Sequence, residues 1–339
     1  MSWRRVLRLP PAGVRSEFMS PYSTGSCRVA SPAAPKDPAP IGIDSTNEIA
    51  GNGLVMPLMK RSSCSKSWFC LAAWLAVSVA GHLGAAPRKI YVMTDLEGIS
   101  GVYKFAQTRE TDTPLARQAR VFFMGDVAAV VRGLRDGGAT EIVVLDGHGN
   151  QAVLPELMAP GAKYITGLPR PEHFPGLDAT YAGLVCLGFH AMKGTPDGVL
   201  NHTQSSRTEN RYWYNGVESG ELAQCAAVAG HYGVPPILVT GDEATCREAE
   251  KFFGKGCVTV AVKRGLARES ALLYPLSETR QELYRGARRA MKAIGRCQPY
   301  RLELPIQAKK EYLVPGGSAK PRLTTKEGTV PAALHLLDF

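Results

Sequence analysis

Residues 89–102 read K-I-Y-V-M-T-D-L-E-G-I-S-G-V. Lys89 to Thr94 is a β-branched and aromatic run with the character of a buried strand. It ends in two carboxylates, Asp95 and Glu97, and Gly98 follows at once, as if to let the chain turn away. Similar apolar runs recur downstream: E-I-V-V-L (141–145), A-G-L-V-C-L-G (182–188), P-I-L-V-T (236–240) and V-T-V-A-V (258–262). Between them stand helical periods, Leu115 to Asp136 closed by Gly137-Gly138 and Gly220 to Tyr232 closed by Gly233 before Pro235. Apolar strands alternating with helices predict an α/β fold, a largely parallel sheet sandwiched by helices. The piece R-Y-W-Y-N-G-V (211–217) departs from this pattern, because aromatics followed by Asn-Gly predict a hairpin. The expected organisation is an α/β domain over 87–245 and a smaller C-terminal α+β lobe over 246–339, atypical at its end.

Upstream of this region the chain has another character. Residues 1–58 are rich in Pro, Ser, Gly and Arg without sustained period, and read as disordered or as sequence upstream of the true start. From Met59, M-K-R-S-S-C-S-K and then W-F-C-L-A-A-W-L-A-V-S-V-A form a basic segment and an apolar segment, followed by small residues. Residues 59–86 therefore read as a signal peptide, too short and too quickly broken to be a comfortable membrane span. The expectation is an exported protein, periplasmic or extracellular, with no stable membrane insertion after cleavage, and a cytoplasmic one if the signal does not function.

Charge supports the same division. The formal charge is +10, and residues 1–86 hold nine Lys and Arg against four acids, half of that excess. The rest is spread over some 250 residues without a long basic run, which argues against nucleic acid as a partner. The eight cysteines include no C-x-x-C pair and no dense cluster, so neither a disulfide scaffold nor a zinc-finger pattern is present. A Cys246 to Cys257 bridge stays open for an exported protein.

Open α/β sheets bind ligands beyond the carboxyl ends of their strands. Asp95 and Glu97 follow the first strand, Asp146 and His148 the second, and His190 the third; Glu221 opens the helix of G-E-L-A. Taken singly, each has an ordinary explanation: a strand terminator, a turn residue, or an acid favoured by a helix dipole. Together they place two of only seven histidines directly after two of the most apolar strands. Imidazole with carboxylate suits a pair of divalent metals, the equipment of hydrolysis by activated water. Asp146, two residues before His148, fits a supporting role behind a ligand, although a carboxylate can also ligate directly. His202, in a loop shortly after His190, is a candidate for proton transfer or for holding an oxyanion.

The blocks D-L-E-G-I-S-G-V, L-D-G-H-G, L-G-F-H-A, N-H-T and G-E-L-A, in that order, closely resemble the zinc-dependent D-aminopeptidase family of the dipeptide-operon type. The likeness covers about residues 88–275, including V-P-P-I-L-V-T-G-D-E and V-A-V-K-R-G-L-A-R-E-S-A. It implies that Asp95, Glu97, His148, His190 and Glu221 hold two zinc ions per subunit and that His202 is the catalytic residue. It also implies hydrolysis of short peptides with an N-terminal D-residue, such as D-Ala-D-Ala, and a homo-oligomer, typically a decameric ring. Gly147 stands where the family often has Ser, the spacings from His190 to His202 and on to Glu221 look slightly longer, and the likeness fades after about residue 310. Two rival functions use the same residues: a two-metal phosphoesterase, or a non-catalytic peptide-binding protein of the same fold.

Overall fold

The computed structural model describes residues 88–149, 151–314, 316 and 320–339. The readings of residues 1–58 and of the signal peptide at 59–86 lie outside them. Among the described residues no helix is long and apolar enough to cross a membrane.

In chain order the elements begin with β1 (Lys89–Thr94), α1 (Phe105–Thr108), α2 (Pro114–Asp136), β2 (Glu141–Asp146), β3 (Lys163–Ile165) and β4 (Tyr181–Leu187). Next come β5 (Arg211–Tyr214), β6 (Val217–Glu218), α3 (Glu221–His231), β7 (Pro236–Asp242) and α4 (Glu243–Phe253). The chain continues through β8 (Val258–Ala267), β9 (Ser270–Leu273), α5 (Leu276–Ala293), β10 (Ile306–Val314) and β11 (Arg322–Val330). The five apolar runs and both long helical periods therefore form as expected. Thr113 caps α2 by accepting from the Ala116 amide at 3.1 Å, and Pro114 occupies the first turn, where its missing N–H costs nothing.

The main sheet runs β3-β2-β1-β4-β7-β8-β9 and is parallel except for the β8–β9 pair. Alternate residues of its strands point to opposite layers. Ile90, Val92, Ile142 and Val144 pack with α2 and α5, whereas Tyr91, Val143 and Leu145 pack with α3. Both faces are buried, which is why these strands read as continuous apolar runs. The half-buried, three-residue β3 and the short, largely exposed β9 at the two edges carry no such signal.

A second, antiparallel sheet has the order β11-β10-β5-β6. Its β5–β6 hairpin turns on Asn215 and Gly216, both at positive φ (49° and 81°), the turn that Asn-Gly favours. Tyr212, Tyr214, Ile306, Ala308 and Val330 of this sheet pack on Ala227, so α3 lies between the two sheets and is buried from Leu222 to Gly230. The expected boundary at 245/246 falls inside α4. Residues of α4, β8, β9 and α5 stay with the main sheet, because the apolar β8 pairs with β7, and the second sheet draws its hairpin from residues before that boundary. Cys246 and Cys257 are both free thiols.

Candidate metal centre

β1 is hydrogen-bonded to β2 on one side and to β4 on the other, so the chain leaves it in one direction and returns in the opposite one. Such a switch point opens a crevice beyond the strand ends. Asp95 leaves β1 there, its amide still donating to the Leu187 carbonyl of β4 at 2.8 Å. The Gly98 amide donates to the Gly188 carbonyl at 2.7 Å. A Cβ at position 98 would lie 1.8 Å from the Phe189 carbonyl oxygen, and one at Gly188 (φ +75°) would lie 2.4 Å from the Asp95 carbonyl oxygen. Gly98 therefore serves close packing of the β1 and β4 loops more than a turn away from the site. Lys263 of β8, fully buried, donates from Nζ to the carbonyls of Glu97 (2.6 Å), Ile99 (2.9 Å) and Val102 and so anchors this loop from behind.

Six of the seven side chains singled out by the sequence, all but Asp146, converge on the crevice. His148 Nδ1 lies 3.1 Å from Asp95 Oδ1 and 3.2 Å from Glu97 Oε2. His190 Nε2 lies 3.3 Å from Asp95 Oδ2 and 3.4 Å from Glu221 Oε1, and His202 Nε2 lies 3.8 Å from that same Glu221 oxygen. The His190 and His202 rings stack with centroids 3.9 Å apart and planes 12° from parallel. The ligand atoms of Asp95, Glu97 and His190 lie within 4.8 Å of one another, and so do those of His190, His202 and Glu221.

Each imidazole has one nitrogen committed to a backbone carbonyl, which can only accept. His148 Nε2 donates to Thr108 O at 2.9 Å, His190 Nδ1 to Ala191 O at 3.0 Å, and His202 Nδ1 to Leu200 O at 2.7 Å. The other nitrogen of each ring is thereby turned toward carboxylate oxygens. A lone pair facing carboxylates is repulsive unless a proton or a metal cation sits between them, and a backbone partner on the far nitrogen is the usual support of a metal-bound histidine. Asp95 Oδ2, Glu97 Oε2 and His190 Nε2 are buried and, although within ion-pair distance of neighbours, have no hydrogen-bond partner. Buried polar atoms in this state suit the coordination of a cation. Nitrogen and carboxylate donors in this mixture fit zinc.

The charges are strongly coupled. Burial pushes Asp95 up to about 6, aided by the Glu97 charge and opposed by His148. Burial also works against an ionised Glu97, but His148 and the other two histidines hold it well below the usual carboxylate range. For His190, Glu221, Asp95 and Glu97 overcome burial and lift it to about 10; for His148, Glu97 and Asp95 do the same and hold it well above its ordinary value. Glu221, drawn down mainly by His190 against its burial, sits at about 2. His202 goes the opposite way: burial and the neighbouring His190 charge push it down to about 4, so it is a neutral base at pH 7.

Asp146 does not face the crevice. Its carboxylate accepts from the Ala152 and Val153 amides (2.9 Å each) and from Thr166 Oγ1 (3.0 Å), and so ties down the loop that carries His148. Several residues of the site went unnoticed in the sequence. A cleft of about 350 Å³ over the cluster is walled by Thr108, Arg109, Gln204, Ser205, Ser206 and Arg207. Gln204, at positive φ (60°), donates its amide to Glu221 Oε1 at 2.5 Å and accepts from Tyr212, which links the site to the second sheet. Its setting between His202 and a Ser-Ser pair gave no signal beyond polarity.

A family model described as D-aminopeptidase, Peptidase M55, matches residues 88–319. Among curated proteins, the D-aminopeptidase of Bacillus subtilis (strain 168) is 31% identical over 186 residues, covering 54% of this chain. The match spans 66% of that relative, just under two thirds of its own length. Among solved structures, the Zn-dependent D-aminopeptidase DppA from Bacillus subtilis, described as a self-compartmentalizing protease, is similar with a TM-score of 0.66 at 26% identity. That likeness covers 73% of this chain and 93% of the other.

Proposed function

Because the chain belongs to the D-aminopeptidase family of peptidase M55, we propose that it is a zinc-dependent aminopeptidase that removes the first residue of short peptides with an N-terminal D-amino acid, such as D-Ala-D-Ala. The observation that carries the two-metal form of this reading is Asp95: one carboxylate turns Oδ1 toward His148 and Oδ2 toward His190, so a single side chain serves both halves of the cluster. Asp95, Glu97, His148, His190 and Glu221 would hold two zinc ions. Zinc at such a site supplies Lewis acidity toward a carbonyl and lowers the pKa of water.

The chain's own residues supply the rest. His202 is neutral, buried and oriented by Leu200 O, so its Nε2 takes a proton from the attacking water and returns one to the leaving amine. The loops after β1 and β4, locked together at Gly98 and Gly188, fix the carboxylates against the imidazoles before substrate arrives, which lowers the cost of reaching the reactive geometry. The self-compartmentalizing relative supports a homo-oligomer, with a decameric ring as the proposed form. The apolar segment at 59–86 supports export, where D-peptides of the cell wall are the available substrates.

The test is a stereochemical screen on the purified full chain, with zinc measured on the same sample. About two zinc per chain and preference for D-Ala-D-Ala over L-Ala-L-Ala are expected. Equal rates on the two enantiomers would remove the D-peptide reading. Turnover of a chromogenic phosphate ester in place of peptides would favour the phosphoesterase, and less than one zinc with no turnover would favour a binding protein.

A further inference from the structure

The metal cluster accounts for one end of the cleft, and the chemistry of the opposite wall differs from it. Every acid lining the cleft, Asp95, Glu97 and Glu221, belongs to the cluster, whereas the wall beyond carries two guanidinium groups, Arg109 and Arg207. Arg109 is fixed in place. Its guanidinium lies 3.7 Å from the centroid of the Phe105 ring, and it donates from Nε to Ser206 Oγ and from Nη2 to Ser206 O, both at 3.0 Å. These contacts clamp the segment after α1 onto the segment after His202 and present the next residue, Arg207, at the cleft.

Arg207 is exposed. Among the described residues neither it nor Arg109 has a carboxylate within ion-pair distance, whereas nearby Arg268 is paired with Glu209 at 2.9 Å. Burial first, then the charges of Arg207 and Arg268, lower the pKa of Arg109 against the opposing pull of Glu269 and Glu209, so Arg207 and Arg109 feel each other's charge across this wall. Two guanidinium groups facing one small cleft, neither in an ion pair, are complementary to an anion, and the planar fork of arginine matches a carboxylate.

Resting on the aminopeptidase reading above, we infer that Arg207, with Arg109 set beside it, binds the C-terminal carboxylate of the peptide and so makes the cleft selective for dipeptides. In a dipeptide that carboxylate lies one residue beyond the scissile carbonyl, about 3.5 Å of chain, so one cleft of about 350 Å³ reads both ends of the ligand. A longer or C-terminally blocked peptide brings an uncharged amide to the same place.

The experiment uses the zinc-loaded full chain with D-Ala-D-Ala and its C-terminal amide as substrates, for the wild type, Arg207→Met and Arg207→Lys. The wild type should favour the free acid in kcat/KM by about tenfold or more, chiefly through KM. Arg207→Met should bring the ratio to within about twofold of unity, and Arg207→Lys should restore part of it. Equal turnover of acid and amide by the wild type, or a ratio that Arg207→Met leaves intact, overturns the carboxylate site while the peptidase reading stands. Turnover of neither peptide by a zinc-loaded wild type overturns the peptidase reading, and the carboxylate site with it.

Discussion

Alanine at Gly98 tests whether the loop interlock positions the site. A Cβ there falls 1.8 Å from Phe189 O, 2.5 Å from the Gly188 carbonyl carbon and 2.7 Å from Gly188 O. Real Cβ atoms essentially never come closer than 3.0 Å, so the β1 loop has to retreat from the β4 loop by more than about 1 Å. All three obstructing atoms are backbone, so no side chain can swing aside. The retreat carries Asp95 and Glu97 away from His190 and His148, whose contacts now span only 3.1 to 3.3 Å. A displacement of about 1 Å in a catalytic constellation costs about 10²-fold in rate, while overpacking costs about 1–3 kcal/mol of a stability of about 5–15 kcal/mol. The variant should therefore stay folded, lose zinc and fall about 100-fold in kcat/KM on D-Ala-D-Ala. Elemental analysis and kinetics on one sample read both effects. Gly176→Ala is the control: its φ of +73° imposes backbone strain with nothing within 4 Å, so it should lower the melting temperature and leave zinc in place. A Gly98→Ala protein with wild-type zinc and a rate within about threefold would refute the reasoning.

Lys263→Met removes the shared donor of the Glu97, Ile99 and Val102 carbonyls; Ile99 O keeps the Val102 amide at 3.2 Å, so the cost is about 1–3 kcal/mol for each of the Glu97 and Val102 acceptors. Denaturant unfolding should show a loss of several kcal/mol together with weaker zinc binding, and wild-type stability would mean the loop needs no such anchor. His202→Ala should keep its zinc and lose about 10²–10⁴-fold in kcat; loss of zinc along with the rate would reassign His202 as a ligand. Chelated protein should lose stability with rising pH. His190 is lifted to about 10 against about 6.5 in the unfolded chain, so the folded state binds the extra proton between these values; its contribution is complete below about 6.5 and gone above about 10. Zinc-loaded protein has already released that proton, so melting temperatures of the two forms should diverge across this range, and parallel curves would contradict the assignment.

Much of the site could be read because function and pattern coincide at strand ends. Asp95, His148 and His190 stand within three residues of apolar runs, and Glu221 opens a helix marked by its own glycines. The strand order could not be read, since nothing in the sequence of β1 says that it pairs with both β2 and β4 and so forms the switch point. The second sheet was hidden for a related reason: β5 finds β10 some ninety residues later, a long-range pairing without a local signature. Lys263 follows the apolar run 258–262, where a lysine has no local signature of burial, yet it is buried with its ammonium satisfied by backbone oxygens.

The same limit explains the histidines. Their chemistry depends on which nitrogen is turned into the crevice, and that is decided by the carbonyls of Thr108, Ala191 and Leu200. A carbonyl is present at every residue, so side-chain identity at these three positions carries no trace of the role. Leu200 shows what the arrangement costs. It is fully buried and held at a φ of +53°, a conformation worth about 1–3 kcal/mol of strain for a residue other than glycine, with its amide tied to Arg268 O at 2.7 Å. That strained peptide aims the oxygen that makes His202 Nδ1 the donor and leaves Nε2 for proton transfer. A leucine in a loop between Gly198 and His202 reads as ordinary packing, yet the direction of its carbonyl decides which face of His202 is basic.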